Sequence, residues 1–392
     1  MDLSGIPEIL CREVKVMKQK VILLVLVLSL LLSGCGVFSR SYVSVEPHRE
    51  QRQTVQSDAI VAANYLELLG ALEKMIESGT EVAAIKVPDY PDAELKYGME
   101  KAIRHSKEND PIGSYAVADI HYELGSSSGV PAVSVSISYH HSRSEIQRIR
   151  RARDTESAER IVAEALKDYE PGIVILVEEY QIRDFTQFVQ DYAEENPQKV
   201  MEIPQVSQSS YGTGRDRVLE LIFTYQTSRD SLRRMKDQVK PVFDSATLYV
   251  SGEGEPIQKY SQLYAFLMER FDYKFETSIT PAYSLLRHGV GDSRAFSTVY
   301  AAMCRSAGLE CITVTGTRAG EPWTWNIIQD NGGYYHVDLL RSNRNGHFEK
   351  MTDVQMNSYV WDYSGYPECT GELLETVSEE VPVPTETASE KN

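Results

Sequence analysis

Val133, Val135, Ile137 and Tyr139 alternate with Ser134, Ser136 and Ser138, and Leu219, Leu221, Phe223 and Tyr225 recur with the same period further along. A period of two puts each set on one face of a β-strand. The two stretches align without a gap. SVSISYHHSRSEIQR (134–148) pairs with ELIFTYQTSRDSLRR (220–234), matching Tyr139, Ser142, Arg143 and Arg148 to Tyr225, Ser228, Arg229 and Arg234. Similar elements precede each strand. The first copy has a strand at EVAAIKV (81–87), a helix near 92–106 and a strand near 115–124. The second has a strand at GIVILV (172–177), a helix near 183–195 and a strand near 200–207. Ile182, Phe185, Val189 and Tyr192 carry the helical spacing in the second copy. Each copy thus predicts βαββ, closed by a helix that starts at Ser142 or Ser228. Ser142 with Glu145 three residues on has the form of a capping box. The repeated Tyr-x-x-Ser-Arg reads as a strand-to-helix corner, with a paired ligand site as the alternative.

From Pro256 the pattern changes. A helix over 261–271 precedes Asp272-Tyr273, and the glycine turn GVG (289–291) leads into a helix opening at Ser293. Strands follow at 310–316, around Trp325-Asn326 and at Tyr334–Asp338. The expected organisation is α+β: a first repeat over 58–168, a second over 169–252 and a third domain over 253–370.

The flanks differ from this core. Lys18 and Lys20 precede the apolar run 21–32, which ends in Leu32-Ser33-Gly34-Cys35. A basic start, a short apolar run and small residues make an export signal, and the run is short for a membrane span. LSGC resembles the lipobox of bacterial lipoproteins. Met17 is then the expected start of translation and Cys35 the lipidated first residue of the mature chain. The lipid would hold the protein on the outer face of the cytoplasmic membrane. Residues 36–57 read as a polar tether, and the acidic 371–392 as a disordered tail.

The chain has 40 basic and 57 acidic residues, a net charge of −17. That balance excludes a phosphate-neutralising nucleic-acid binder. The one basic run, RIRRAR (148–153), reads as a solvated helix face. Cys304, Cys311 and Cys369 remain after Cys35 and Cys11 are set aside, an odd set. Buried thiols and a disulfide are both open for Cys304 and Cys311, and Cys369 is placed to approach either. No metal motif or phosphate loop is present, since GVG lacks the lysine and its spacing. No cofactor is expected.

The order of landmarks in the third domain carries a resemblance. It comprises the helix before Asp272-Tyr273, the GVGDSRAF turn and helix, Ala307-Gly308-Leu309 entering a strand, Trp325-Asn326, and Tyr334-Tyr335-His336-Val337-Asp338. This stretch resembles the core of the transglutaminase-like superfamily, which has a papain-related fold. The resemblance implies a Cys-His-Asp triad, with a Cys opening the helix, a His two residues before the strand Trp, and an Asp ending the next strand. Those positions hold Ser293, Trp323 and Asp338, so only the Asp keeps its identity. A serine hydroxyl needs a base more than a thiol does, and indole has no basic nitrogen. The expected reading is a degenerate triad. Trp325, Asn326 and His336 are candidate pocket residues, and His288 and His336 are the remaining candidates for a base. Asp338 is free to accept from the Trp323 indole or from Ser293.

Three functions follow as expectations. The first is a surface lipoprotein whose domain binds a cell-wall peptide, a glycan or an envelope protein without catalysis. The second is an envelope peptidase, amidase or cross-linking enzyme using Ser293 with an unidentified base. The third is a spacer.

Overall fold

The computed structural model describes residues 60–250, 252, 254–275 and 278–371. The signal sequence, Cys35, the tether and the acidic tail beyond Gly371 lie outside the described residues. No described helix is long and apolar enough to cross a membrane.

The first repeat contains β1 (Ile60–Val61), α1 (Tyr65–Ser78), β2 (Val82–Lys86), α2 (Asp92–Glu108), α3 (Pro111–Ala116), β3 (Val117–Ser127), β4 (Val130–Tyr139) and α4 (Arg143–Ile146). The second contains β5 (Arg150–Asp154), α5 (Thr155–Lys167), β6 (Gly172–Glu179), α6 (Phe185–Glu195), β7 (Gln205–Tyr211), β8 (Arg217–Thr224) and α7 (Arg229–Tyr249). The sheet orders are equivalent, β1-β2-β4-β3 and β5-β6-β8-β7, each with one parallel pair and two antiparallel ones.

Each unit therefore opens with a further strand and helix ahead of the expected βαββα. This moves the boundary between the repeats. Arg150 pairs in parallel with Ile175, so residues 150–167 belong to the second unit, and the division falls near residue 149 rather than at 168. The same pairing overturns the helical reading of RIRRAR. Ala152 enters the second core while Arg151 and Arg153 face outward, the alternation of a strand. The strand expected near 200–207 begins at Gln205, because Val200 and Met201 are buried in the turn that follows α6.

The repeated Tyr-x-x-Ser-Arg is a corner. Ser142 and Ser228 cap α4 and α7, the first in a capping box with Glu145. The Tyr139 hydroxyl donates to the carbonyls of Met75 and Thr80 at the end of α1. Arg229 donates to the Asp168 carbonyl at the end of α5. The duplicated residues thus tie each closing helix to its unit's first helix.

The third domain comprises α8 (Pro256–Met268), β9 (Asp272–Tyr273), α9 (Pro281–His288), β10 (Val290–Gly291), α10 (Ser293–Ser306), β11 (Cys311–Arg318), β12 (Glu321–Asp330), β13 (Gly333–Val337), α11 (Leu339–Asn345) and β14 (Tyr359–Val360). Its antiparallel sheet runs β13-β12-β11-β14. The helix α10 is buried around its whole circumference from Ala295 through Cys304, its few polar side chains there hydrogen-bonded, so it forms the centre of the domain. It lies against one face of the sheet. A strap over 350–369 covers the other, closing a second cluster around Trp325, Met351, Tyr359 and Trp361. Leu232, Val239 and Phe243 of α7 and Tyr169 and Met201 of the second repeat join the α10 core. The second repeat and the third domain therefore share one apolar interior. Arg294 beside Ser293 pairs with Glu194 of α6 at 2.7 Å.

Cys304, Cys311 and Cys369 are free and buried. Cys369 packs in the strap cluster, and Cys304 and Cys311 in the α10 core, so the expected approach does not occur.

Candidate functional site

The helix end that would carry a nucleophile is built by two glycines. Gly289 ends α9 with φ +80°, a conformation that penalises a Cβ. A Cβ on Gly291 would meet the Ala295 Cβ at 2.9 Å, so the turn packs tightly on α10. Asp292 caps the helix, its carboxylate accepting from the Ala295 N–H at 2.8 Å. Ser293 follows as the first helical residue, 7% exposed. Its hydroxyl oxygen accepts the Thr324 backbone N–H at 3.2 Å.

No imidazole is bonded to that hydroxyl among the described residues. His288 is exposed at the end of α9, its ring edge-on to Tyr283 at 5.3 Å. His336 lies on the opposite face of the sheet. Thr324 and Asn326 bond to Ser293 and Ser297 of α10, so by the two-residue period Trp325 points away from the helix. The Trp325 indole donates to His336 Nδ1 at 2.9 Å, within the strap cluster.

Trp323, at the position where the base was expected, acts as a donor. Its Nε1 donates to Asp338 Oδ2 at 3.0 Å. The same oxygen accepts from Arg318 Nη1 at 3.0 Å and from the Tyr359 hydroxyl at 2.6 Å. Oδ1 accepts the backbone N–H groups of Leu340 and Arg341, both at 3.0 Å, which caps α11. Five donors thus hold a carboxylate that is 1% exposed. An ionised carboxylate offers about four lone-pair sites, so none is left to orient a general base. Burial first, and then the Asp338 charge, push the Tyr359 phenol far above its ordinary pKa, which keeps it a donor. The Arg318 guanidinium also lies 5.1 Å from the Trp323 ring and 5.4 Å from that of Tyr359. Arg318 and Tyr359 were not singled out at this site from the sequence. Arg318 ends a strand and Tyr359 lies in the strap, and no local pattern joins them to Asp338.

Trp325, Asn326 and His336, the expected pocket residues, are each fully buried. They are core residues between α10 and the strap. A strand covered on both faces buries both of its side-chain rows.

His336, Asp353 and Cys369 bring their ligand-type atoms within 4.8 Å of one another. The donor set does not fit a metal ion. The indole N–H occupies Nδ1, so the neutral imidazole carries its proton on Nε2, which donates to Asp353 Oδ1 at 2.8 Å. No ring lone pair remains for a metal. Burial also raises the Cys369 thiol to about 12, so it stays protonated. The cluster instead pins the strap, with Asp353 Oδ2 accepting the Cys369 N–H at 2.9 Å.

This network gives a pH dependence. Burial holds the His336 imidazole below its ordinary pKa of 6.5, and Asp353 opposes the shift only partly. Above 6.5 the ring is neutral in both folded and unfolded chains and contributes no slope. Below it the unfolded chain takes up the proton first, so stability falls with pH. The urea midpoint is expected to drop between pH 7.5 and pH 5, and His336→Gln to flatten that drop. An equal drop in the variant would assign the effect to other groups.

Residues 245–361 match the transglutaminase-like superfamily. The C-terminal part of this chain is a transglutaminase-like domain. No curated protein matches the sequence. Solved structures also resemble parts of the chain, among them the following three. A TGase crystal structure shares 10% identity at a TM-score of 0.24, covering 59% of this chain and 68% of its own. A provisionally assigned cysteine protease from Cytophaga hutchinsonii shares 13% at 0.23, covering 38% and 65%. A provisionally assigned protease from Parabacteroides distasonis ATCC 8503 shares 9% at 0.21, covering 64% and 39%. The chain thus spans less than two thirds of the last two. The transglutaminase-like domain here carries Ser293, Trp323 and Asp338 where the superfamily triad is expected.

Proposed function

We propose that this chain is an exported lipoprotein, anchored through Cys35, whose transglutaminase-like domain binds a partner outside the cell and performs no acyl transfer. The observation that carries this reading is the saturation of Asp338 by five donors, one of them the indole that replaces the base. Removing the nucleophile or base of a serine protease costs on the order of 10⁶ in kcat. Here the nucleophile is changed, the base is missing and the orienting carboxylate is engaged elsewhere. The surface beside the site favours binding. Tyr273 is 44% exposed with its ring 5.7 Å from that of Trp323, and Phe275, two residues further along, is exposed too. Amphipathic rings of this kind suit a wall peptide, a glycan or an envelope protein.

Fluorophosphonate labelling of the purified chain tests the catalytic half. We expect no label, and no difference in Ser293→Ala. A label abolished by that substitution would make the chain a serine enzyme with an unrecognised base. A pull-down on peptidoglycan and envelope proteins tests the binding half. Retention that Tyr273→Ala and Phe275→Ala leave intact would move binding away from this surface. A chain that retains nothing would fit a spacer.

A further inference from the structure

A second recess lies between the two repeats, away from the degenerate triad. The helix α3 of the first repeat packs on β7 and β8, where Ile112 and Tyr115 join Leu176 and Val218 of the second sheet. Beyond the end of α3 this face stays open as a recess of about 470 Å³. Its floor includes Val174 and Ile222, and Ile222 is 48% exposed. The duplicated position in the first repeat is polar. Ser136 of the first repeat stands where Ile222 stands in the second, on a face that meets water. The paired position also differs: Val82 lies opposite Ser136 and is 66% exposed, whereas Gly172 lies opposite Ile222, so in the second repeat the exposed aliphatic stands on β8, at the floor of the recess. His141 makes a wall, stacked on Tyr115 at 4.0 Å and 8°.

The charges around the rim can be accounted for. Arg150 holds Glu170 with two bonds of 2.7 and 2.9 Å. Glu145 accepts from the Ser142 N–H and hydroxyl, both at 2.7 Å. Glu220 accepts the Tyr211 hydroxyl at 2.9 Å. Arg148 is the remaining charge lining the recess, and among the described residues its guanidinium has no hydrogen-bond or ion-pair partner. Glu145, whose charge it feels, is already committed to the cap. The unspent group is a cation with a planar donor fork, which matches a carboxylate.

We propose that this recess binds a small amphipathic carboxylate, such as a peptide C-terminus bearing an apolar side chain. The apolar body lies on Val174 and Ile222 beside His141, and the carboxylate meets Arg148. The volume suits a ligand of that size. The site owes nothing to the transglutaminase-like domain, so it stands or falls separately from the reading above.

Isothermal titration of the full chain with N-acetyl-leucine and with its neutral amide tests it. The acid is expected to bind saturably, and the amide about tenfold more weakly, the worth of one charge-assisted contact. Arg148→Gln should abolish that preference. Ile222→Ser, which installs the residue the first repeat carries, should weaken acid and amide alike, with the circular dichroism spectrum unchanged as the control on folding. Equal binding of acid and amide to the parent chain overturns the proposal. So does saturable binding that neither substitution changes, or no saturation by either compound at millimolar concentration.

Discussion

Asp338→Ala should cost about 3–5 kcal/mol of stability, read as a shift of the urea midpoint at constant m-value. The carboxylate neutralises Arg318, whose side chain is 18% exposed, across 3.0 Å. Removing it leaves a largely buried guanidinium without its counter-charge. It also orphans the Trp323 indole and the Tyr359 hydroxyl, and uncaps α11. Asp338→Asn should cost less, since the amide oxygen still accepts, but the ion pair is lost. A carboxylate serving only as a catalytic relic would behave differently. Its removal would be nearly neutral, and a change below about 0.5 kcal/mol, the scatter of ordinary surface substitutions, would contradict the structural role.

Ending the chain after Ser358 should have a larger effect still. That truncation removes Tyr359, Trp361 and Cys369, which are 4%, 7% and 0% exposed. It strips the cover from Trp325 and His336, whose rings lie 5.6 and 4.9 Å from that of Trp361. It also takes away β14, the edge partner of β11. The loss is expected to exceed about 5 kcal/mol, comparable with the whole stability of a domain. Near-ultraviolet circular dichroism of the truncated chain should show the tryptophan signal collapsed. Trp361→Ala alone should cost about 3–5 kcal/mol, as large-to-small changes at a buried aromatic do. An unchanged melting transition in the truncated chain would show that the strap is an appendage.

These two tests ask how far Asp338 and the strap carry the stability of the third domain. Asp338 is a hub for a cation, an indole, a phenol and a helix cap. A histidine placed at residue 323 would compete with Arg318 and Tyr359 for the same oxygen. The arrangement around Asp338 holds the sheet, α11 and the strap together.

How far the sequence reached can be traced through particular residues. Alternation at 133–139 and 219–225 placed β4 and β8, because a half-buried strand writes its two faces directly into the chain. The motif order from Asp272 to Asp338 located the third domain, and the capping signal at Ser142 is met in the structure. Arg150–Asp154 was misread because five residues with three arginines look solvated until the parallel partner β6 is known. Trp325, Asn326 and His336 were read as a pocket because polar and aromatic residues near a triad suggest one. Their burial depends on the strap, which covers them from later in the chain.

By itself, then, the sequence settled what short-range periodicity and ordered motifs can carry. Those are the duplicated units and the helix opening at Ser293. Only the tertiary structure decided the partners of Asp338, the proton position on His336, and the pairing that moved the repeat boundary. It also decided which arginine in the recess is unpaired. Each of these depends on groups from distant segments meeting within about 3 Å, a hydrogen-bond distance that no local pattern encodes.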